Sequence, residues 1–160
     1  MKRLIVVSDS HGNAKSVEQL LPLIRENHYF LHLGDGLSDI SAVLSECPKK
    51  THFCLGNCDF YGGVADEGIL EVENVKIFYC HGHKYGVKSG LGILAKRAKE
   101  LGCSLALYGH THRAQVVEID GVTLVNPGSL RYPVGEGGSY AYIVVNNEKI
   151  TAVVVGESVG

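Results

Sequence analysis

Two carboxylates, four imidazoles and a carboxamide recur in one setting in this sequence, each just beyond a short apolar run. They lie in Asp9-Ser10-His11, Gly34-Asp35, Gly56-Asn57-Cys58-Asp59, His81-Gly82-His83 and Gly109-His110-Thr111-His112. If the runs are neighbouring strands, the five loops converge, because ligands of α/β sheets sit beyond the carboxyl ends of the strands. The donors brought together are Asp9, His11, Asp35, Asn57, His81, His110 and His112, with no obligatory thiolate. Such nitrogen and oxygen sets suit divalent Mn, Fe, Co, Ni, Zn or Mg rather than a thiolate-rich zinc site. Seven donors exceed what one ion with an open position needs, and they suit two ions sharing one carboxylate. Paired ions ~3.5–4 Å apart are the usual arrangement for hydrolytic phosphoryl transfer.

Taken singly, each cluster has a plainer role. Asp, Ser or Asn after a strand caps the next helix. Gly-Asp is a turn, and Gly-Asn-Cys-Asp forms an Asx-turn. A lone His81 or His83 is more often structural. Gly-His-Thr-His is sharper, since two histidines two residues apart project on one side and reach adjacent ions. The recurrence of five clusters in one context favours the site over five separate accidents.

The elements that must position these loops follow from hydrophobic period. Leu4–Val7 is a continuous aliphatic run, the pattern of a strand buried on both faces. Val17, Leu20, Leu21 and Ile24 recur at helical spacing, with Pro22 marking a bend or a break. Tyr29–Leu33 and Thr51–Leu55 are further strands around a short helix over Asp39–Leu44. Strand, loop, helix, strand is the grammar of a parallel sheet. Beyond Gly62-Gly63 the pattern changes. Hairpins are expected at Glu73-Asn74, at Asp120-Gly121 and near Asn146-Asn147, and a helix over Ser89–Leu101 precedes a strand at Leu105–Tyr108. Two packed sheets with helices outside are the expected result.

Composition sets the boundaries. A chain of 160 residues with 45% hydrophobic and 20% charged residues reads as one ordinary globular domain. Its net charge of −2 disfavours nucleic acid or an anionic membrane as partner. Five cysteines without a Cys-x-x-Cys pair indicate neither a disulfide framework nor a zinc knuckle, and point to a reducing cytoplasm. The apolar start ends at Ser8-Asp9, too early for a signal peptide, and no later run approaches a membrane span. Open β edges would suit a homo-oligomer.

In order and spacing, Asp9-x-His11, Gly34-Asp35, Gly56-Asn57, His81-Gly82 and Gly109-His110-x-His112 resemble the calcineurin-like metallophosphoesterase superfamily. Asn57-Cys58-Asp59 and Asn126-Pro127-Gly128-Ser129 resemble its small YfcE/YsnB-type phosphodiesterases. The resemblance covers nearly the whole chain. It implies an α/β fold, a four-layer α/β/β/α sandwich with two mixed sheets, as a single domain over 1–160. It implies two divalent ions, manganese foremost, and a small phosphodiester as substrate. Asp9, His11, Asp35 and His112 would hold one ion, and Asp35, Asn57, His81 and His110 the other. Asp35, Asn57 and His81 are then the catalytic residues. Water between the ions, its pKa lowered toward neutrality, would attack phosphorus as hydroxide while Asn57 offsets developing charge. A phosphomonoesterase on the same site is one alternative. A protein-interaction scaffold like the retromer subunit of related fold is another, disfavoured because every ligand position holds a coordinating residue.

Five further residues surround this set. Asn13 either caps a helix or touches a substrate oxygen, and Asp59 orients a ligand from behind. Arg131 meets a phosphate if its loop faces the site, and Asn126-Pro127-Gly128 is a turn that positions backbone. Cys58 stands where many relatives carry a histidine acid. A thiol is a poor substitute for an imidazolium, so Cys58 is expected to pack as a small apolar residue beneath the site. The enzyme should then favour good leaving groups or recruit His83 as acid. Rates on diesters of graded leaving-group pKa should therefore fall steeply as the leaving group worsens, and Cys58→His should restore the poor ones. A flat dependence would show that a competent acid is already present.

Overall fold

A computed structural model describes residues 1–131 and 138–156. Residues 132–137 and 157–160, part of the single domain expected over 1–160, lie outside the described residues. The chain builds two five-stranded mixed sheets. The first contains β1 (Lys2–Val7), β2 (Tyr29–His32), β3 (Thr51–Phe53), β9 (Ser139–Asn146) and β10 (Lys149–Gly156), in the order β10-β9-β1-β2-β3. The second contains β4 (Glu67–Val72), β5 (Val75–Cys80), β6 (Leu105–Leu107), β7 (Gln115–Ile119) and β8 (Val122–Asn126), in the order β4-β5-β6-β8-β7. Within each sheet three strands run parallel: β1, β2 and β3 in the first, and β5, β6 and β8 in the second.

The layers follow from strand alternation, in which successive side chains point to opposite faces. Leu4 and Val6 of β1 join Leu31, Ile77, Leu105 and Leu107 in the core between the sheets. Ile5 and Val7 face the other way, with Phe30, against Val17, Ile24 and Val43 of the helices α1 (Ala14–Gln19), α2 (Leu21–Glu26) and α3 (Ser41–Glu46). On the outer face of the second sheet, Phe78, Ala106 and Leu124 meet Leu94 and Ala98 of α4 (Gly92–Glu100). The result is the expected α/β/β/α sandwich.

Differences from the sequence reading are local. Leu20 separates α1 from α2, and Pro22 sits in the first turn of α2, where a missing N–H costs nothing. The short helix expected over Asp39–Leu44 divides into a 3-10 turn, Leu37–Ile40, and α3. Helix α4 begins three residues later than Ser89, because Gly90 has φ +142 and cannot continue a helix. The β7–β8 turn has φ +50 at Asp120 and +82 at Gly121, the type I′ geometry expected of Asp-Gly.

Candidate metal centre

All five predicted clusters leave the carboxyl ends of parallel strands. β1 is followed by Asp9 and His11, β2 by Asp35 and β3 by Asn57–Asp59; in the other sheet β5 leads to His81 and β6 to His110 and His112. Because the sheets pack face to face, the two sets of loops meet at one rim. The chain there is unusually bent. Asp9, His11, Asp35, His110 and His112 have φ of +55, +41, +59, +72 and +61. Such left-handed residues cost about 1–2 kcal/mol each and persist only where the surroundings hold them. The other non-glycine residues of positive φ among those described, Glu73, Asp120 and Asn147, sit in hairpin turns. Five candidate ligands thus share a conformation that ordinary packing would avoid.

The bent loops brace one another. Asp9 N–H donates to Gly34 O at 3.0 Å, and His11 N–H to Asp35 O at 3.0 Å. Ser129 Oγ donates to Asp9 O at 2.7 Å, and Asn126 Nδ2 to Thr111 Oγ1 at 2.9 Å, so the Asn-Pro-Gly-Ser turn ties two ligand loops together. Asp59 accepts four backbone N–H groups: Asp35 and Gly56 on Oδ2 at 2.7 and 2.9 Å, Gly36 and Leu37 on Oδ1 at 2.9 and 3.1 Å. Gly56 must lack a side chain, since a Cβ there would collide with Asp35 Oδ1 and the Asp35 backbone nitrogen.

Inside this frame carboxylate and imidazole atoms converge. Asp9 Oδ2 accepts from Ser8 Oγ at 2.6 Å and His110 N–H at 3.0 Å, which aims the buried Oδ1 inward. Oδ1 lies 3.2, 3.5 and 3.8 Å from Nε2 of His112, His11 and His81. Asp35 Oδ1 accepts from Cys58 N–H at 2.7 Å, while Oδ2 lies 3.2 Å from His81 Nε2 and 3.7 Å from His11 Nε2. His81 Nδ1 lies 2.8 Å from Leu33 O. A carbonyl only accepts, so Nδ1 carries a proton, and in the neutral ring Nε2, 3.2 Å from His110 Nδ1, is the atom left to coordinate. Carboxylate oxygens and imidazole lone pairs facing one another at these distances call for positive charge between them.

Three overlapping groups of donors emerge, each with ligand atoms within 4.8 Å of one another: Asp9, His11 and His112; Asp35, His81 and His110; and, bridging them, His11, Asp35 and Cys58. Asp35 faces His11 of the first group as well as His81 of its own. The electrostatics agree. Burial pushes the Asp9 carboxyl up, but the His11, His112 and His81 rings and Ser8 outweigh it and hold it well below the usual carboxylate range. Burial likewise lowers His81, yet Asp35 and Asp9 raise it overall. Burial, then His81, pulls His110 down to about 4, which keeps it a neutral ligand.

Asn57 is exposed at the rim, its Nδ2 donating to Cys58 Sγ at 3.5 Å and its Oδ1 left as the atom able to coordinate. Cys58 does not pack beneath the site. Its loop turns the backbone N–H inward to Asp35 and leaves the thiol exposed, with His11 and Asp35 donor atoms within 4.8 Å. Its limited burial, then the Asp35 charge, raise the thiol pKa and keep it from the thiolate. His83 lies with its ring centre 5.4 Å from His81 and 6.2 Å from His110. Burial, then His81, lower its pKa, which weakens it as the acid expected in place of Cys58. Asn13 Oδ1 caps α1 by accepting from Ser16 N–H at 3.3 Å. Arg131 Nη1 lies 3.9 Å from the point a Cβ on Gly12 would occupy, so its guanidinium stands over the turn after His11. A pocket of about 300 Å³ opens here, lined by His11, Gly12, Asp35, Ser38, Cys58 and Asp59. A wider cavity of about 680 Å³, among Lys2, Arg25, His28, Lys49 and Lys50, opens at the far end of the parallel strands and takes no part.

Sequence reasoning missed a buried relay behind the metal face. His32 Nδ1 accepts from Gly34 N–H at 3.1 Å, so Nε2–H donates to Ser10 Oγ at 2.9 Å. Ser10 Oγ donates in turn to Asp39 Oδ2 at 2.6 Å, which also accepts from Gly12 N–H at 2.9 Å. The available signal was a histidine closing an otherwise apolar strand, with an aspartate seven residues on.

Two mixed sheets between helices, with a carboxylate–imidazole rim at the ends of the parallel strands, define the α/β metallophosphoesterase fold. The chain belongs to the calcineurin-like phosphoesterase superfamily, whose domain model matches residues 1–148. It is 34% identical over 156 residues to the probable metallophosphoesterase YsnB of Bacillus subtilis, covering 92% of this chain and 87% of that protein. It is 33% identical over 147 residues to the phosphodiesterase MJ0936 of Methanocaldococcus jannaschii, covering 77% and 81%. A predicted phosphoesterase of Streptococcus pneumoniae superposes with a TM-score of 0.85 at 26% identity, covering 97% and 89%. This chain is a metal-dependent phosphoesterase of the YsnB/YfcE type.

Asp59→Asn replaces one of two oxygens that hold backbone donors, so it should weaken divalent metal affinity by about 10–100-fold without unfolding the chain. Calorimetric titration with manganese would show this; unchanged affinity would remove Asp59 from the support of Asp35. His32, pushed down to about 4 by burial, binds its proton more readily unfolded than folded. Its contribution to stability is therefore complete above about pH 6.5 and lost as pH falls toward 4. In metal-free protein, urea midpoints of His32→Gln should fall less over this window than those of the parent; parallel slopes would refute the assignment.

Proposed function

We propose that this chain hydrolyses a small phosphodiester with the help of two divalent ions, manganese foremost. The observation that supports it best is the meeting of Asp9 Oδ1, Asp35 Oδ2 and the His11, His81 and His112 Nε2 atoms at 3.2–3.8 Å, carboxylate facing imidazole. Asp9, His11, Asp35 and His112 would hold one ion, and Asp35, Asn57, His81 and His110 the other. Bound there, the ions supply the Lewis acidity that activates water and offsets negative charge at phosphorus. The chain supplies the rest. Asp35 faces both donor groups and separates two cations by its own charge. His81, anchored through Nδ1 to Leu33 O, keeps its lone pair turned to the cluster. Asn57, at the rim, is placed to steady a phosphoryl oxygen, and Arg131 over Gly12 adds a cation on the substrate side. The diester preference draws on the likeness to MJ0936 and on the absence of an imidazole at Cys58. A scaffold-only role would not require five donors held in left-handed backbone.

Chelated protein reloaded in turn with Mn, Ni, Co, Zn or Mg should turn over aryl phosphodiesters with at least one metal and fail without any. Asp35→Asn should lower that rate by at least about 100-fold. No turnover with any metal would favour the scaffold, and full activity in Asp35→Asn would refute its shared role.

A further inference from the structure

Beside the metal rim lies a second hollow of different character. It has a volume of about 290 Å³ and is lined by Leu37, Ile40, Leu44, Phe53, Tyr61 and Val64, with the Ser38 and Ser41 hydroxyl-bearing residues at its edge. No Asp, Glu, Lys or Arg lines it among the described residues. It adjoins the metal pocket in two ways. Ser38 borders both, and the segment that contributes Cys58 and Asp59 to one contributes Tyr61 to the other. Between them on that segment stands Phe60, 92% exposed, beside Tyr61 at 46%. Phe60 offers almost its whole ring to solvent, and Tyr61 about half of its surface.

We propose that this hollow is a substrate subsite that takes an aromatic-sized apolar group carried by the phosphoester, with Tyr61 as its wall and Phe60 as its lip. This rests on the phosphoesterase reading of the metal rim. A volume of about 290 Å³ is below that of pockets enclosing a whole drug-sized ligand, so it receives one substituent while the phosphoryl group stays at the ions. The wall chemistry selects for that substituent. Apolar side chains gain by losing water against a ring, while an exposed alkyl stub too short to reach them gains nothing. The base of the hollow is formed by Ile40 and Leu37, which are buried in the fold, while the aromatic residues beside it are exposed. Specificity for the organic group and chemistry at phosphorus are thereby assigned to adjacent but separate walls.

The test uses non-hydrolysable ligands on the manganese-loaded protein, read by calorimetry. Phenylphosphonate should bind about tenfold more tightly than methylphosphonate. Ser41→Trp, which fills the hollow from an exposed position, and Tyr61→Ala, which removes its wall, should each cut that preference to within about twofold. Methylphosphonate affinity should stay unchanged in both, which separates loss of the subsite from loss of the fold. Equal binding of the two phosphonates by the parent, or a preference that survives Ser41→Trp, would overturn the subsite alone. Failure of manganese-loaded protein to bind either phosphonate would overturn the phosphoester reading on which it stands.

Discussion

Lone pairs gathered at the rim between two sheets are the constraint around which this molecule is organised. Asp9 Oδ1 and Asp35 Oδ2 face imidazole nitrogens that point back at them, and His81 and His110 turn nitrogen toward nitrogen at 3.2 Å. Burial removes water from this set, so its carboxylates and imidazoles act on one another directly, as the lowered Asp9 carboxyl and the raised His81 ring show. Metal ligands must shed protons to bind, so ion binding here is linked to the charge state of the same cluster.

What holds the acceptors in place is hydrogen bonding to the backbone of their loops. Five left-handed ligand residues are braced by hydrogen bonds between loops of different strands, by the four N–H groups on Asp59 and by the Ser129 bond to Asp9 O. Two five-stranded sheets buried against each other make a base stiff enough to carry that strain. Gly109 shows how tight the arrangement is, since a Cβ there would strike Ser8 Oγ and Asp9 Oδ2. Support and site are in this sense one object: the atoms that orient Asp9 and Asp35 are also those that close the sandwich at its rim.

On the solvent side the constraints relax. Asn57, Cys58 and Phe60 are exposed along one loop, and the pocket beside the donor cluster is polar where its neighbour is apolar. A thiol in place of an imidazole removes a proton donor from that loop without disturbing Asp35, because the contact to Asp35 is made by the Cys58 backbone. Substrate choice can therefore change here through side chains while the metal face stays fixed.

The amino-acid sequence by itself determined the strand ends, the donor types and the hairpin turns. Each is a local property: Leu4–Val7 is aliphatic at every position, Asp120-Gly121 tolerates positive φ, and His110 and His112 are two apart. Tertiary structure decided what depends on distant partners. His110 N–H donates to Asp9, 101 residues away, and Ser129 to Asp9, 120 residues away. No local period reports such contacts, so the relay through His32, Ser10 and Asp39 was illegible, as was the outward turn of Cys58. That Asp9, His11, Asp35, His81, His110 and His112 would meet could be read from residue type and from their place after apolar runs, because chemistry restricts which residues can bind metal. Which of them stand at the centre, and which at the rim with Asn57, was settled only when two sheets packed face to face.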